Sequence, residues 1–395
     1  MAELSRPREH ALVAILALAA FTYVVGVLQL SPLLTALASE FDVSESAVGQ
    51  LTTIGGLVGT ATALLAAPWM QRFSRRTWIT AEAGLFVMAM LMMAAAQSFV
   101  MLAVARVVAG IAGGALLANC FTAASEFIPD LRRRNRAVAI IASGTTVAIL
   151  AGLPLLTLID NAFGWRWASG SVVVPLIVVI FGALGLPDGR VRSTAANPRR
   201  VGFRQVLEQR ATLWLLAVLV FLFLAYIGWI TYFGAYVEQG FAGGAGRLGT
   251  LFLVGGISEL AANALAPALF RRFSVYPLAM ISAAGLAVTL LGSGTLFSTA
   301  SSLFVSISLL HVFTSFLYIG SNTLLLNTQP AQRGSVMAIA SAATGFGGSA
   351  GALIGGIALS TLGNYQSAYQ VLGALMLFSV GCLVLSQRAR GAGFS

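Results

Sequence analysis

The sequence contains no lysine, and it has only two cysteines and two histidines. Without lysine, it cannot form the Gly-x-x-x-x-Gly-Lys-Ser/Thr loop that cradles nucleotide phosphates, so no such loop supplies ATP energy. Intramembrane hydrolases need a nucleophile with a base or several metal ligands, and the two histidines, His10 and His311, supply these sets poorly. We therefore expect no cofactor, no metal and no enzymatic activity.

Charge is also scarce. Charged residues make up 9% of the chain, against 58% hydrophobic residues and a mean hydropathy of +0.89, whereas soluble domains are about 25% charged. One soluble core cannot bury this much apolar surface, so lipid is the expected solvent. The two cysteines, Cys120 and Cys382, fall inside apolar runs and are expected to be buried thiols.

The apolar residues form runs of the length that a membrane-spanning helix needs, about 20 residues. The first run is too long for the core of a cleaved signal peptide, so we interpret it as a retained span. The runs predict an all-α integral membrane protein with twelve transmembrane helices, near residues 10–35, 46–71, 77–97, 99–123, 137–160, 167–186, 212–237, 246–270, 276–297, 302–326, 333–361 and 365–386.

The 23 basic residues are all arginines, and they flank the apolar runs. A net charge of +10 could indicate nucleic-acid binding, but these positions predict the cytoplasmic ends of helices instead. With the N-terminus inside, twenty arginines lie in cytoplasmic segments, and only Arg166 and Arg247 lie outside. Both termini are therefore predicted to be cytoplasmic, with no nucleic-acid partner.

The two halves of the chain resemble each other at an offset of 200 residues, as residues 49–76 and 249–276 show. Gly49 corresponds to Gly249, and Arg72-Phe73-Ser74 corresponds to Arg272-Phe273-Ser274. Paired six-helix halves around a midplane cavity are typical of transporters. We expect an N-terminal half at 1–186, a cytoplasmic linker at 187–211 with a short surface helix near 203–210, and a C-terminal half at 212–395.

Motifs along the chain resemble those of the major facilitator superfamily, with the closest similarity to its bacterial drug:proton antiporter and sugar-efflux permease branch. After the second span, 67-APWMQRFSRR-76 keeps the basic end of the family's cytoplasmic loop motif but lacks its acid, since Gln71 stands there. The fourth span keeps the family's Arg-x-x-x-Gly pattern at Arg106, and the fifth resembles its antiporter motif. The resemblance implies a gating or scaffold role for Arg72, Arg75, Arg76, Glu126, Arg136, Gly144, Gly152 and Pro154.

The resemblance implies a secondary active transporter of the bacterial inner membrane that works by alternating access. The branch implies proton-coupled efflux of a small organic solute or drug, as in multidrug antiporters. Its partners would be that solute, protons as the coupling ion and membrane lipid, and the expected oligomeric state is a monomer. One alternative is a proton-coupled importer or a uniporter of a small solute. The other alternative is a membrane-embedded protein without transport activity.

Three titratable residues inside predicted spans are candidates for proton coupling: Glu259, His311 and Arg106. Burial disfavours a charged carboxylate, and a carboxyl group that gains and loses a proton is what a proton-coupled pump needs. Glu259 and His311 lie at comparable predicted depths, and histidine titrates near neutral pH, so a relay is one interpretation. Alternatively, each side chain only packs against another helix, and Arg106 binds backbone carbonyls.

Aromatic and amide side chains in the spans predict a solute pocket. The family lines its cavity with the first, fourth, seventh and tenth spans, and Tyr226 and Trp229 share a helix face in the seventh. Such side chains suit a mostly apolar or neutral solute with a few hydrogen-bonding groups, although each aromatic could instead serve helix packing. The candidates are Tyr23, Gln29, Asn119, Tyr226, Trp229, Tyr232, Asn263 and Asn322.

Overall fold

The computed structural model describes residues 6–66, 72–186, 208–241, 243–328 and 333–391. Within these ranges the protein is all-helical, as the apolar runs predict. The helices are α1 (Arg6–Glu40), α2 (Glu45–Ala66), α3 (Arg75–Ala94), α4 (Phe99–Phe127), α5 (Leu131–Phe163), α6 (Trp165–Leu184), α7 (Arg210–Gly240), α8 (Gly244–Arg272), α9 (Val275–Leu291), α10 (Ser302–Leu326), α11 (Arg333–Leu362) and α12 (Tyr365–Gly391).

Eleven of these described helices are long and apolar enough to cross a membrane, and α9 is a shorter apolar helix. The predicted ninth span reached residue 297, but α9 ends at Leu291. Two glycines explain the early end: Gly292 caps the helix, and Gly294 has a φ of +82°. A residue with positive φ leaves the right-handed helix, and glycine tolerates this conformation best.

Prolines break the regular hydrogen bonding of α1 and α5. Helix α1 is interrupted at Gln29, and Pro32 three residues later has no N–H to donate to the carbonyl of Leu28. Helix α5 has a π-helical turn at Ala148–Gly152, where the Leu153 N–H donates to the Ala148 carbonyl. Pro154 follows this turn, and π turns commonly mark functional positions in helices.

The chain forms two compact units. One contains the described residues of Met1–Val43, Ile54–Thr194 and Ala245–Leu253, and the other contains those of Ser44–Thr53, Ala195–Gly244 and Val254–Ser395. The outer parts of α2 and α8 thus each join the unit formed mostly by the opposite half of the sequence. The predicted boundaries of the halves stay a prediction, because 187–207 of the linker lies outside the described residues.

Glycines allow helices to approach closely in both units. In the second unit, a Cβ at Gly351 of α11 would lie 2.0 Å from the Leu224 carbonyl oxygen of α7. In the first unit, a Cβ at Gly114 of α4 would lie 2.6 Å from the Gly59 carbonyl oxygen of α2. In lipid the hydrophobic effect does not drive helices together. Small residues at such contacts let the helix backbones approach closely, and the resulting van der Waals packing stabilises their association.

Gly351→Ala should destabilise the protein, although alanine favours helices more than glycine does. The new methyl group would meet a backbone oxygen that cannot rotate away, and overpacking of this kind costs about 1–3 kcal/mol. The melting temperature of the purified protein in detergent measures the effect. Gly381→Ala in α12 is the matched control, because a Cβ there has open space. Equal melting temperatures for the two variants would contradict the close approach of α7 and α11.

Candidate proton and solute site

Glu259 and His311 meet inside the second unit. Helix α8 presents Glu259 and α10 presents His311, with 3.2 Å between the Oε2 and Nδ1 atoms. The histidine side chain is fully buried, and the glutamate side chain is 18% exposed. The structure therefore brings together the two titratable residues that the sequence placed at similar depths. A buried pair of this kind can hold a proton between its two members.

Gly255 provides the space for this contact. It lies one turn before Glu259 on α8 and therefore shares its helix face. A Cβ at position 255 would lie 2.8 Å from both Cδ2 and Nε2 of His311 and 3.1 Å from Ile307. Gly255 was not among the site residues predicted from the sequence, although a glycine four residues before an intramembrane acid is a visible signal of close helix approach.

Aromatic rings from α7 enclose the imidazole of His311. Its ring centroid lies 5.8 Å from that of Tyr226 and 6.1 Å from that of Trp229, with near-perpendicular planes. Trp229 also packs on Phe233 at 4.5 Å. The Tyr226 hydroxyl and His311 Nε2 are buried, and neither has a hydrogen-bond partner among the described residues. Buried polar atoms are normally paired, so these two have unused capacity to bind a ligand.

The other cavity candidates of the second unit are placed differently. Asn263 is half-buried one turn after Glu259 on α8. Asn322 follows His311 by eleven residues on α10, about 16 Å along the helix, and donates to the Tyr318 carbonyl of its own helix. The Tyr232 hydroxyl donates to the Ala352 carbonyl of α11 at 2.9 Å. In this structure Tyr232 therefore joins two helices, and Tyr226 and Trp229 form the ring contacts with His311.

A second polar cluster lies in the first unit around Asn119. The amide of Asn119 donates to both carboxylate oxygens of Glu82 at 3.0 Å and accepts from Arg75 at 2.9 Å. Arg75 also pairs with Glu126, with a shortest distance of 2.9 Å. Asn119 therefore bridges Glu82 to Arg75, and the sequence does not reveal that bridge.

Arg106 donates hydrogen bonds to backbone carbonyls, which is one of the two interpretations that the sequence allowed. Its guanidinium donates to the carbonyls of Gly26 at 2.8 Å and Val27 at 3.3 Å, just before the interruption of α1. The buried amide of Gln29 donates to the same Gly26 carbonyl and lies 3.1 Å from the Met90 sulfur. These donors satisfy carbonyls near the point where the helix is interrupted.

The remaining candidates of the first unit lie at helix contacts or on the surface. A Cβ at Gly144 would lie 2.4 Å from the Ala17 carbonyl oxygen, and one at Gly152 would lie 2.4 Å from Val25. Helix α5 therefore packs directly on α1 at both glycines. Tyr23 lies against Gly113 of α4 in the same way. Pro154 and Arg76 are half-buried, and Arg72 and Arg136 are exposed.

Eleven described helices long and apolar enough to cross a membrane, together with one shorter apolar helix, define a multi-pass membrane protein. Residues 12–299 match the model of the Major Facilitator Superfamily. The chain belongs to this family, whose members are secondary transporters and not enzymes. The all-helical, twelve-helix fold expected from the sequence is thereby confirmed.

Relatives of the chain include two bacterial proteins with known names. It is 35% identical to the chloramphenicol resistance protein of Streptomyces lividans over 179 residues, which are 44% of each chain. It is 24% identical to the purine ribonucleoside efflux pump NepI of Escherichia coli (strain K12) over 385 residues, 95% of this chain and 93% of the pump. The inward-open structure of the Escherichia coli xylose transporter XylE superposes with a TM-score of 0.72, covers 94% of each chain and shares 17% identity.

Asn119→Leu should lower the melting temperature of the purified protein in detergent. The substitution removes both amide donors of Glu82 and one acceptor of Arg75, and each buried polar group left unsatisfied costs about 1–3 kcal/mol. Asn322→Leu is the matched control, because that amide is part-exposed and bonds to its own helix. A melting temperature for Asn119→Leu as high as that of the control would show that the bridge does not stabilise the first unit.

Proposed function

We propose that this transporter exports a small organic solute across the bacterial inner membrane in exchange for protons, by alternating access. The observation that carries the proposal is the contact between Glu259 and His311, 3.2 Å apart inside the membrane-spanning helices. Intramembrane acids are costly and mark proton and substrate pathways. Histidine is the side chain that changes its charge near neutral pH.

The chemistry of the pair explains how one proton can be held and released. With one proton between them, the pair is neutral overall, whether the proton is on the carboxyl group of Glu259 or on the imidazole of His311. Removing this proton leaves a net negative charge among apolar helices, which low dielectric strongly disfavours. The pair should therefore give up its proton only when water or a polar solute reaches it, as happens when the site opens to one side.

The surroundings of the pair support binding of a mostly apolar or neutral solute beside it. Tyr226 and Trp229 offer aromatic surface, while the Tyr226 hydroxyl and His311 Nε2 have no partners among the described residues. A solute that bonds to Nε2 acts on the same imidazole that contacts Glu259, so solute binding and proton release are linked through His311. Export is the direction that the names of the two relatives favour, since one confers chloramphenicol resistance and the other expels purine ribonucleosides.

Glu259→Gln should abolish solute-driven proton movement, because the neutral amide resembles the protonated acid but cannot exchange a proton. Purified protein is reconstituted in proteoliposomes with a pH-sensitive dye inside, and chloramphenicol and a purine ribonucleoside are added in turn. The wild type should give a proton signal with at least one of them, and the variant should fall to background while still exchanging labelled solute without a pH gradient.

Glu40→Gln is the matched control for this experiment, because Glu40 is part-exposed and pairs with Arg166 at 2.9 Å. It should keep the wild-type proton signal. An equal signal from wild type and Glu259→Gln would show that the coupling proton is bound elsewhere. Solute exchange without any proton signal in the wild type would indicate a uniporter and overturn the proposal of proton coupling.

Tyr226→Phe should weaken solute binding without lowering stability, because the hydroxyl has no partner among the described residues to lose. A hydrogen bond to the solute contributes about 0.5–1.5 kcal/mol, so the apparent affinity should fall by up to about tenfold. Tyr276→Phe is the opposite case, since the Tyr276 hydroxyl lies 3.1 Å from that of Ser386. The Tyr276→Phe variant should have a lower melting temperature and the wild-type affinity for the solute. If Tyr226→Phe lowered the melting temperature but kept the affinity for the solute, the solute would bind away from Tyr226.

A further inference from the structure

A cleft lies between the start of α7 and the end of α12, away from the candidate proton site. Residues Arg210, Leu213, Trp214 and Ala217 line it from α7, and Leu385, Arg388 and Ala389 line it from α12. It is open on one side and has a volume of roughly 670 Å³. Two exposed guanidinium groups therefore border an otherwise apolar groove, a combination that neither proton coupling nor solute export uses.

Contacts between the two helices shape the cleft. The Ser386 hydroxyl donates to the Ala211 carbonyl at 3.1 Å, and both residues are buried. Further along, the rings of Phe221 and Phe378 stack with 5.7 Å between their centroids. These contacts hold α7 and α12 side by side along the cleft.

We propose that this cleft binds an anionic phospholipid. The two arginines can each form charge-assisted hydrogen bonds to phosphate oxygens, and neither Arg210 nor Arg388 pairs with an acid among the described residues. Leu213, Trp214 and Leu385 are 41%, 36% and 40% exposed inside helices that cross the membrane. This apolar surface fits an acyl chain and not a water-soluble anion.

The location of the cleft supports a lipid over a segment of the chain itself. In the orientation predicted from the arginines, the cleft opens at the cytoplasmic leaflet, where anionic lipids concentrate and where basic pockets between helices bind their headgroups. The neighbouring segment 187–207 would be repelled by the two guanidinium groups. It carries one acid, Asp188, against five arginines, Arg190, Arg192, Arg199, Arg200 and Arg204.

Native mass spectrometry of the full-length protein in detergent tests the proposal. Phosphatidylglycerol and phosphatidylethanolamine with identical acyl chains are supplied in equal amounts. The wild type should retain phosphatidylglycerol preferentially, and Arg210→Gln with Arg388→Gln should reduce that retention roughly thirtyfold, since each arginine near a membrane surface contributes about 1 kcal/mol. Exposed arginines tolerate this change, so the double variant should remain folded.

Arg132→Gln with Arg134→Gln is the matched control, because it removes two charges from the predicted cytoplasmic start of α5. This control should retain phosphatidylglycerol as the wild type does. Equal retention by all three proteins, or equal loss in both double variants, would overturn the specific site. Displacement of the bound lipid by excess glycerol phosphate would show that the cleft recognises a free anion, and this would overturn the proposal of a lipid site.

Discussion

The structure depends on one constraint: inside a membrane, a polar group must find its partner within the protein, because lipid offers none. The first unit meets this constraint with dedicated donors. Arg106 bonds to the carbonyls of Gly26 and Val27 beside the interruption of α1, and Asn119 bonds to both oxygens of Glu82. Each of these two charged side chains has at least two hydrogen bonds to a neighbouring helix. These contacts hold helices together.

At the candidate site of the second unit, the same constraint is met only in part. Glu259 and His311 contact each other, but His311 Nε2 and the Tyr226 hydroxyl, both buried next to this contact, have no partner among the described residues. An unpaired buried group costs about 1–3 kcal/mol. A folded protein that tolerates two such groups side by side has a place where a ligand would be stabilised on binding. Unpartnered buried polar atoms occur in both units, so what distinguishes the candidate binding site is that two of them lie beside a buried acid–imidazole pair.

The apolar runs and arginines were sufficient to predict the twelve helices, because hydrophobic length and helix number are local properties of a sequence. The end of α9 was predicted wrongly, since the apolar residues beyond Gly292 and Gly294 hid a break that depends on backbone conformation. The site was predictable as a set of residue types at similar depths. The contact between Glu259 and His311 was not, because it depends on how α8 and α10 approach, and Gly255 was its only local sign. From the sequence, Asn119 and Tyr226 were both candidates for lining the solute cavity. Only their neighbours in the structure show that Asn119 bridges Glu82 to Arg75 and that the ring of Tyr226 packs beside His311.

The absence of lysine takes on a physical meaning in this arrangement. Arginine keeps its charge even when buried and offers several donors in a fixed plane, whereas buried lysine readily loses its proton. A guanidinium on the carbonyls of Gly26 and Val27 is therefore a permanent part of the fold and unsuited to exchanging protons. In the proposed mechanism, proton exchange is left to the carboxyl and imidazole groups of Glu259 and His311. The buried arginine of the first unit and the pair proposed to exchange protons in the second are thus different residue types, so proton exchange at the pair leaves the charge of Arg106 and its hydrogen bonds to α1 unchanged.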